Sequence, residues 1–228
     1  MIENINHASE SDKIYEEFSF LKEHKEFLGE MSRERIIGIG SKGIIIQMFG
    51  SSSVVKLAVD EDSKLKLDAE YRKHNAFSHI LREGKRNDLV PSWVKIPTVS
   101  YSPHQLQSHF FMQRVIGQSL HSRFIRDTYN RELSENSSYD LDSMSDYGLK
   151  YLLMSKYSID EGMIDTAIES ATDMMEKYFP QKNIEFQKTL NFLLEQGLKH
   201  TDLHAGNVMI DRNENIYIID FDSVKIIL

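Results

Sequence analysis

The run His200-Thr201-Asp202-Leu203-His204-Ala205-Gly206-Asn207, with Ile219-Asp220-Phe221-Asp222 closing behind it, gathers polar side chains between apolar segments. Residues 184–197 before it carry helical periodicity and stop at Gly197, a residue suited to a helix terminus. Residues 208–210 and 216–219 are short, apolar and β-prone, and the turn-forming 211–215 between them predicts a hairpin. Asp202 and Asn207 then share a loop between helix and strand, and the hairpin returns Asp220 to Asn207. Hard oxygen donors of this kind suit Mg²⁺, which keeps waters and shares phosphate oxygens. A further Asp beside such a site can orient or deprotonate an attacking hydroxyl.

Upstream, Gly38-Ile39-Gly40-Ser41-Lys42-Gly43 separates a β-prone 35–37 from an apolar, β-prone 44–49. A dinucleotide site needs a helix after its glycine loop. Here a strand follows, so the loop is a hairpin tip, whose glycines let backbone N–H groups approach phosphate. Val54-Val55-Lys56 opens another strand, 54–59. A Lys within it needs an anionic partner unless it reaches solvent from an edge. Residues 64–82 read as a helix with Leu67, Tyr71, His74, Phe77 and Leu81 on one face. Glu70 lies beside that face, and Glu61 nearer the strand end. Residues 109–115 form an apolar strand that runs through Gly117 into a helix after Ser119. Short strands are expected around 93–96 and 99–101, an amphipathic helix at 12–31, a further helix at 160–178, and a polar loop at 134–146.

These motifs resemble those of the protein-kinase-like phosphotransferases. The Asp202-to-Asn207 interval and Asp220-Phe221 resemble H-R-D-x-x-x-x-N and D-F-G. The glycine hairpin resembles G-x-G-x-x-G-x-V, Val54-Val55-Lys56 resembles V-A-I-K, and 110–120 resembles the link between kinase lobes. The resemblance covers roughly residues 35–222. It implies an α+β, minimal two-lobed kinase-like fold: an N-terminal helical extension (1–34), an N-lobe of antiparallel sheet plus one helix (35–116), and a reduced helical C-lobe (117–228). It implies ATP and Mg²⁺. Gly38, Gly40, Ser41 and Gly43 would cover the phosphates, and Ile45 and Val54 would roof the adenine. Met112 would lie behind the adenine, a role compatible with core packing. The Gln113 and Val115 backbones would meet its edge. Lys56, held by Glu70, the family's usual kind of partner on the next helix (with Glu61 the alternative), would take the α- and β-phosphates, Asn207 and Asp220 the Mg²⁺, and Asp202 the acceptor hydroxyl.

Departures refine the resemblance. Thr201 replaces the family's Arg, Asp222 replaces Gly, and six residues follow Asp222, which leaves no room for an activation segment. His204 is similar to aminoglycoside and choline kinase relatives, as an acceptor contact or a structural hydrogen-bonder. The Ile-Asp-Phe-Asp run is familiar from sugar-lipid kinases. The shortness looks most like minimal bacterial effector kinases, which implies a virulence-type Ser/Thr protein kinase acting on a host or partner protein. A small-molecule or sugar-lipid kinase is the alternative. A nucleotide-binding pseudokinase is a third reading, disfavoured because a scaffold needs none of Lys56, Asp202, Asn207 and Asp220.

Composition sets the remaining bounds. The chain has 228 residues, 40% of them hydrophobic and 27% charged, enough for a real core and unlike a disordered chain. Its 27 basic and 35 acidic residues leave a formal charge of −8, which disfavours nucleic acid and anionic membrane as general partners. Without Cys there is no disulfide, Cys-zinc site or thiol nucleophile. The apolar runs are too short to span a bilayer, and the polar N-terminus reads as no cleavable signal. The expected location is the cytoplasm, or a host cell reached without such a signal. From Asp127 to Glu176 twelve acids face only Arg131, Lys150 and Lys156. That stretch is a solvated surface or a recognition face for a basic partner.

Overall fold

The structure, a computed structural model, describes residues 9–40, 43–100, 109–134, 144, 146–160, 164 and 170–227. Strands β1 (Ile36–Gly40), β2 (Gly43–Gln47) and β3 (Ser53–Ala58) form an antiparallel meander, as their β-branched content favours. They are followed by β4 (Val94–Lys95), β5 (Val99–Ser100) and β6 (His109–Gln113). Five of these make one sheet in the order β1-β2-β3-β6-β5. Alternation along the strands gives it two different faces. Ile44, Ile46, Val55 and Leu57 point outward and are buried by Ile14, Tyr15, Leu21, Leu28 and Met31 of the N-terminal segment.

That segment is not the single helix predicted over 12–31. It is α1 (Glu10–Glu17), a 3₁₀ turn (Ser19–His24) and α2 (Lys25–Leu28), broken at Phe18, whose φ of −111° and ψ of 73° are not helical. A straight helix of twenty residues would run about 30 Å. Five strands span only about 20 Å. Breaking the helix keeps its apolar side chains on the sheet.

The inner face carries Ala58, Phe110 and Met112, packed with Leu67 and Tyr71 of α3 (Glu61–Arg86). Asp60 caps this helix by accepting from Ser63 N–H at 2.7 Å. The helix is longer at both ends than the predicted 64–82. Its second half leaves the sheet: Phe77 and Leu81 belong to a core formed with Leu120, Met174, Met175, Phe186, Leu193, Val208, Ile216, Ile218 and Phe221. One rigid element thus serves both lobes.

The second lobe contains β7 (Gly117–Ser119), α4 (Leu120–Thr128), α5 (Asn130–Ser134), α6 (Asp146–Tyr157), α7 (Ala171–Tyr178), α8 (Pro180–Glu195), β8 (Leu198–His200), β9 (Val208–Asp211), β10 (Ile216–Ile218) and β11 (Val224–Ile226). Four strands lie in the order β4-β10-β9-β7, and β11 pairs with β8. Gly117 is demanded by space, since a Cβ there would stand 1.9 Å from the Ile210 carbonyl oxygen. The helix predicted at 160–178 is interrupted at Ser170: Ile164 is helical before it, and α7 runs on from Ala171. Ser170 is extended and caps α7 through its hydroxyl, and 161–163 and 165–169 lie outside the described residues. So does most of the loop predicted at 134–146, of which Ser134 ends α5 and Asp146 begins α6. The fold is a mixed α+β, two-lobed, kinase-like architecture. Among the described residues no helix is long and apolar enough to cross a membrane.

Candidate active site

Lys56 lies at the centre of β3, with Ile45 and Phe110 opposite it on the neighbouring strands. Its side chain therefore leaves the inner face, towards α3. There its Nζ meets Glu70 Oε1 at 2.7 Å and Oε2 at 2.8 Å. Asp220 Oδ1 lies 3.2 Å from the same ammonium. Lys56 is 7% exposed and Glu70 3%. Burial pulls the ammonium down, but the Glu70 and Asp220 carboxylates outweigh it and its pKa rises. Burial raises Glu70, and the attraction of Lys56 offsets this only in part. Glu61, the alternative partner, sits in the first turn of α3 and pairs with Lys64.

The hairpin of β9 and β10 places Asp220. Ile218 stands opposite Val208, and the next amide, Ile219 N–H, donates to the Asn207 carbonyl at 3.0 Å. Asp220 then turns into the left-handed region, φ 59° and ψ 79°, which directs its carboxylate to Lys56. Asn207 is buried and donates through Nδ2 to the Asp202 carbonyl at 2.8 Å. That bond fixes the amide and keeps Oδ1 as an acceptor. Asp220 and Asn207 offer one carboxylate and one oriented amide oxygen, a donor set that fits Mg²⁺ carried with phosphate. Among the described residues no three His, Asp or Glu form a metal cage. The Asp202 side chain is exposed.

Behind Asp220, Phe221 is fully buried in a stack of rings. His74 lies 4.3 Å from it, Phe77 5.0 Å and His200 5.9 Å, centroid to centroid. His74 Nε2 is 2.6 Å from the Pro97 carbonyl oxygen, so this nitrogen carries the proton. Burial holds His74 down to about 4. His200 Nε2 reaches the Ile219 carbonyl at 3.2 Å, and burial lowers this histidine too.

Gly38, Gly40 and Gly43 lie on the β1–β2 hairpin, with Gly40 opposite Gly43; Ser41 lies outside the described residues. Gly43 is also required by packing, since a Cβ would meet the Leu57 carbonyl oxygen at 2.6 Å. Ile45, Val54 and Met112 share the Lys56 face, Val54 directly opposite Met112. Gln113 N–H is taken by the Thr98 carbonyl at 2.8 Å, so this backbone can meet an adenine only through its carbonyl. Val115 lies in the link between β6 and β7. Sequence reasoning placed His74 merely on an apolar face and did not foresee the ring stack. It also missed Lys73, whose Nζ donates to the Asp222 carbonyl at 2.5 Å. No local pattern announces that bond. Of the acidic stretch, Asp160 is exposed, while Glu161 and Asp165 lie outside the described residues.

The segment that carries Asp202, Asn207 and Asp220 has a counterpart among known proteins. Residues 165–227 match the model of the phosphotransferase enzyme family, APH. No curated protein matches the chain. Family match and fold agree on similarity to the kinase-like phosphotransferases.

Proposed function

We propose that the chain transfers the γ-phosphoryl group of ATP, with Mg²⁺, to an alcohol, and that the acceptor is a Ser or Thr of a partner protein. The observation that carries this reading is the buried ammonium of Lys56, gripped by both Glu70 oxygens and within 3.2 Å of Asp220. A cation so held is placed for phosphate oxygens, and transfer of this kind rests on positioning and charge neutralisation. Residues 35–116 form the nucleotide lobe, 117–228 the catalytic lobe, and 1–34 an extension. In this reading the Gly38–Gly43 hairpin covers the phosphates. Ile45, Val54 and Met112 enclose the adenine, and the Gln113 carbonyl and Val115 backbone meet its edge. Asp220 and Asn207 hold Mg²⁺, which supplies charge neutralisation for the phosphates. Asp202 accepts the proton as the acceptor oxygen bonds to phosphorus and ADP leaves. Its exposed side chain is open to a hydroxyl carried on a polypeptide.

The match of 165–227 to the phosphotransferase family, together with His204 near Asp202, favours a second reading, a small hydroxylated molecule as acceptor. Parallel incubations with γ- and α-labelled ATP test both. γ-Label on protein supports the first and γ-label on a small alcohol the second. α-Label on any acceptor, or no transfer from either nucleotide, refutes phosphoryl transfer.

A further inference from the structure

Two residues that the proposed chemistry leaves unused converge on the backbone just beyond Asp220. Lys73, one turn along α3 from Glu70, donates from Nζ to the Asp222 carbonyl at 2.5 Å. Thr201, which stands where the resemblance expects Arg, donates its hydroxyl to the Ser223 carbonyl at 2.5 Å, and its N–H donates to the same oxygen at 3.2 Å. The neighbouring carbonyls are also engaged. Ile219 O faces His200 Nε2 at 3.2 Å, and Phe221 O accepts from Val224 N–H. Within residues 219–223, four carbonyls accept from α3, from the catalytic loop or from the turn itself. The chain then continues into β11, whose Val224 pairs with His200 of β8.

Asp220 is not glycine and sits at φ 59°. A left-handed residue of this kind persists only where its surroundings hold it. Asp222, in place of glycine, removes the freest backbone position behind it. We infer that Lys73 and Thr201 are positioning residues that clamp the Asp222–Ser223 backbone from two sides, so that Asp220 is kept in its Lys56-facing, metal-holding position. The inference rests on the proposed nucleotide and Mg²⁺ site for what Asp220 does. It rests on the two hydrogen bonds for how Asp220 is held. The clamp ties α3, and through it Lys56–Glu70, to the same turn that carries the metal ligand.

The test uses the full chain with Lys73→Met, Thr201→Val and the pair, beside Lys73→Arg and Thr201→Ser, which keep a donor. Hydrogen exchange of the nucleotide-free protein reads the clamp alone. The amides of 221–226 should exchange about tenfold faster in each disrupting variant and faster still in the pair, with β9 and β10 unchanged. Titration of Mg²⁺ against bound ATP by calorimetry reads the consequence. Half-saturation should rise about tenfold in the pair, ATP affinity without Mg²⁺ should hold, and the conservative variants should restore both readouts. Exchange at 221–226 unchanged in the pair overturns the clamp. Faster exchange with an unaltered Mg²⁺ titration overturns its positioning role. A wild-type protein that takes up no ATP with Mg²⁺ overturns the nucleotide reading, and the role of the clamp with it. The exchange result then still decides whether the hydrogen bonds hold the turn.

Discussion

Lys56 and Glu70 form a buried pair in which each partner is tolerable only because of the other. Removing one leaves an uncompensated charge, an effect on the order of 3–5 kcal/mol. Glu70→Ala should therefore lower stability by about that much, moderated by Asp220 at 3.2 Å. Lys56→Met with Glu70→Leu should restore most of it while abolishing transfer, as urea titrations and a labelled-ATP assay would show. In the proposed reading, Asp202→Ala removes the hydroxyl's proton acceptor but neither Lys56 nor Asp220, so it should reduce transfer by at least about a hundredfold and leave ATP binding intact. Near-normal turnover would remove Asp202 from that role. His74 gives a prediction in pH. Burial holds the folded group down to about 4 against an ordinary 6.5. The unfolded chain thus binds a proton that the folded chain refuses as pH falls through 6.5, and stability is lost from there down to about 4. Between pH 7 and pH 5 this amounts to about 2 kcal/mol. Half-buried His200 and His24 and buried His109 are shifted in the same direction. His74→Leu should shrink the pH 7 to pH 5 difference by about 2 kcal/mol in denaturant titrations, and an unaltered difference would show that His74 titrates normally.

The N-terminal segment and α3 are the elements that decide how rigid the sheet is. One covers the outer face, and the other joins the inner face to the second core. Leu21 has no exposed surface and packs against the outer-face cluster. Leu21→Ala should cost about 2–5 kcal/mol, with the cost falling on the sheet that carries Lys56. A change near zero would mean that the segment merely rests on the sheet. α3 is anchored at both ends, by Leu67 under the sheet and by Phe77 and Leu81 in the second core. A helix so anchored cannot swing Glu70 away without opening the core around Phe221. The Lys56–Glu70 pair is accordingly a standing feature of the folded chain.

For the molecule as a whole, two lobes share one long helix and one short parallel pairing, β4 with β10. A ligand between them should stabilise both, because it binds the folded state alone. ATP with Mg²⁺ should raise the melting temperature, and Asp220→Ala should remove the Mg²⁺-dependent part of that rise while a metal-free nucleotide shift persists. Identical Mg²⁺ titrations in wild type and variant would sink the metal assignment. The acidic stretch from Asp127 to Glu176 remains a proposed face for a basic partner, and among the described residues Asp127, Asp160, Asp173 and Glu176 are its exposed acids. Attraction at such a face weakens with salt. Partner binding that is indifferent to salt would remove the face from consideration.

Much of this protein is legible in its sequence because the signals are local. Turn residues 211–215 between apolar runs yield the β9–β10 hairpin, the glycine run before a strand yields the β1–β2 hairpin, and period and caps yield most of α3. The spacing of Asp202, Asn207 and Asp220 along the chain is enough to mark those three positions. Tertiary structure decided the rest. The break at Phe18 answers to the width of a sheet built by other residues. Strands β7, β8 and β11, three residues each, are too short to carry a period and exist through their partners. Glu70 rather than Glu61 meets Lys56 because α3 lies along the inner face, which neither residue specifies. The bonds of Lys73 and Thr201 end on backbone carbonyls. Every residue has one, so the sequence cannot mark which carbonyl will be the acceptor; only the packing of α3 and the 201–207 loop around the turn at Asp220 selects it.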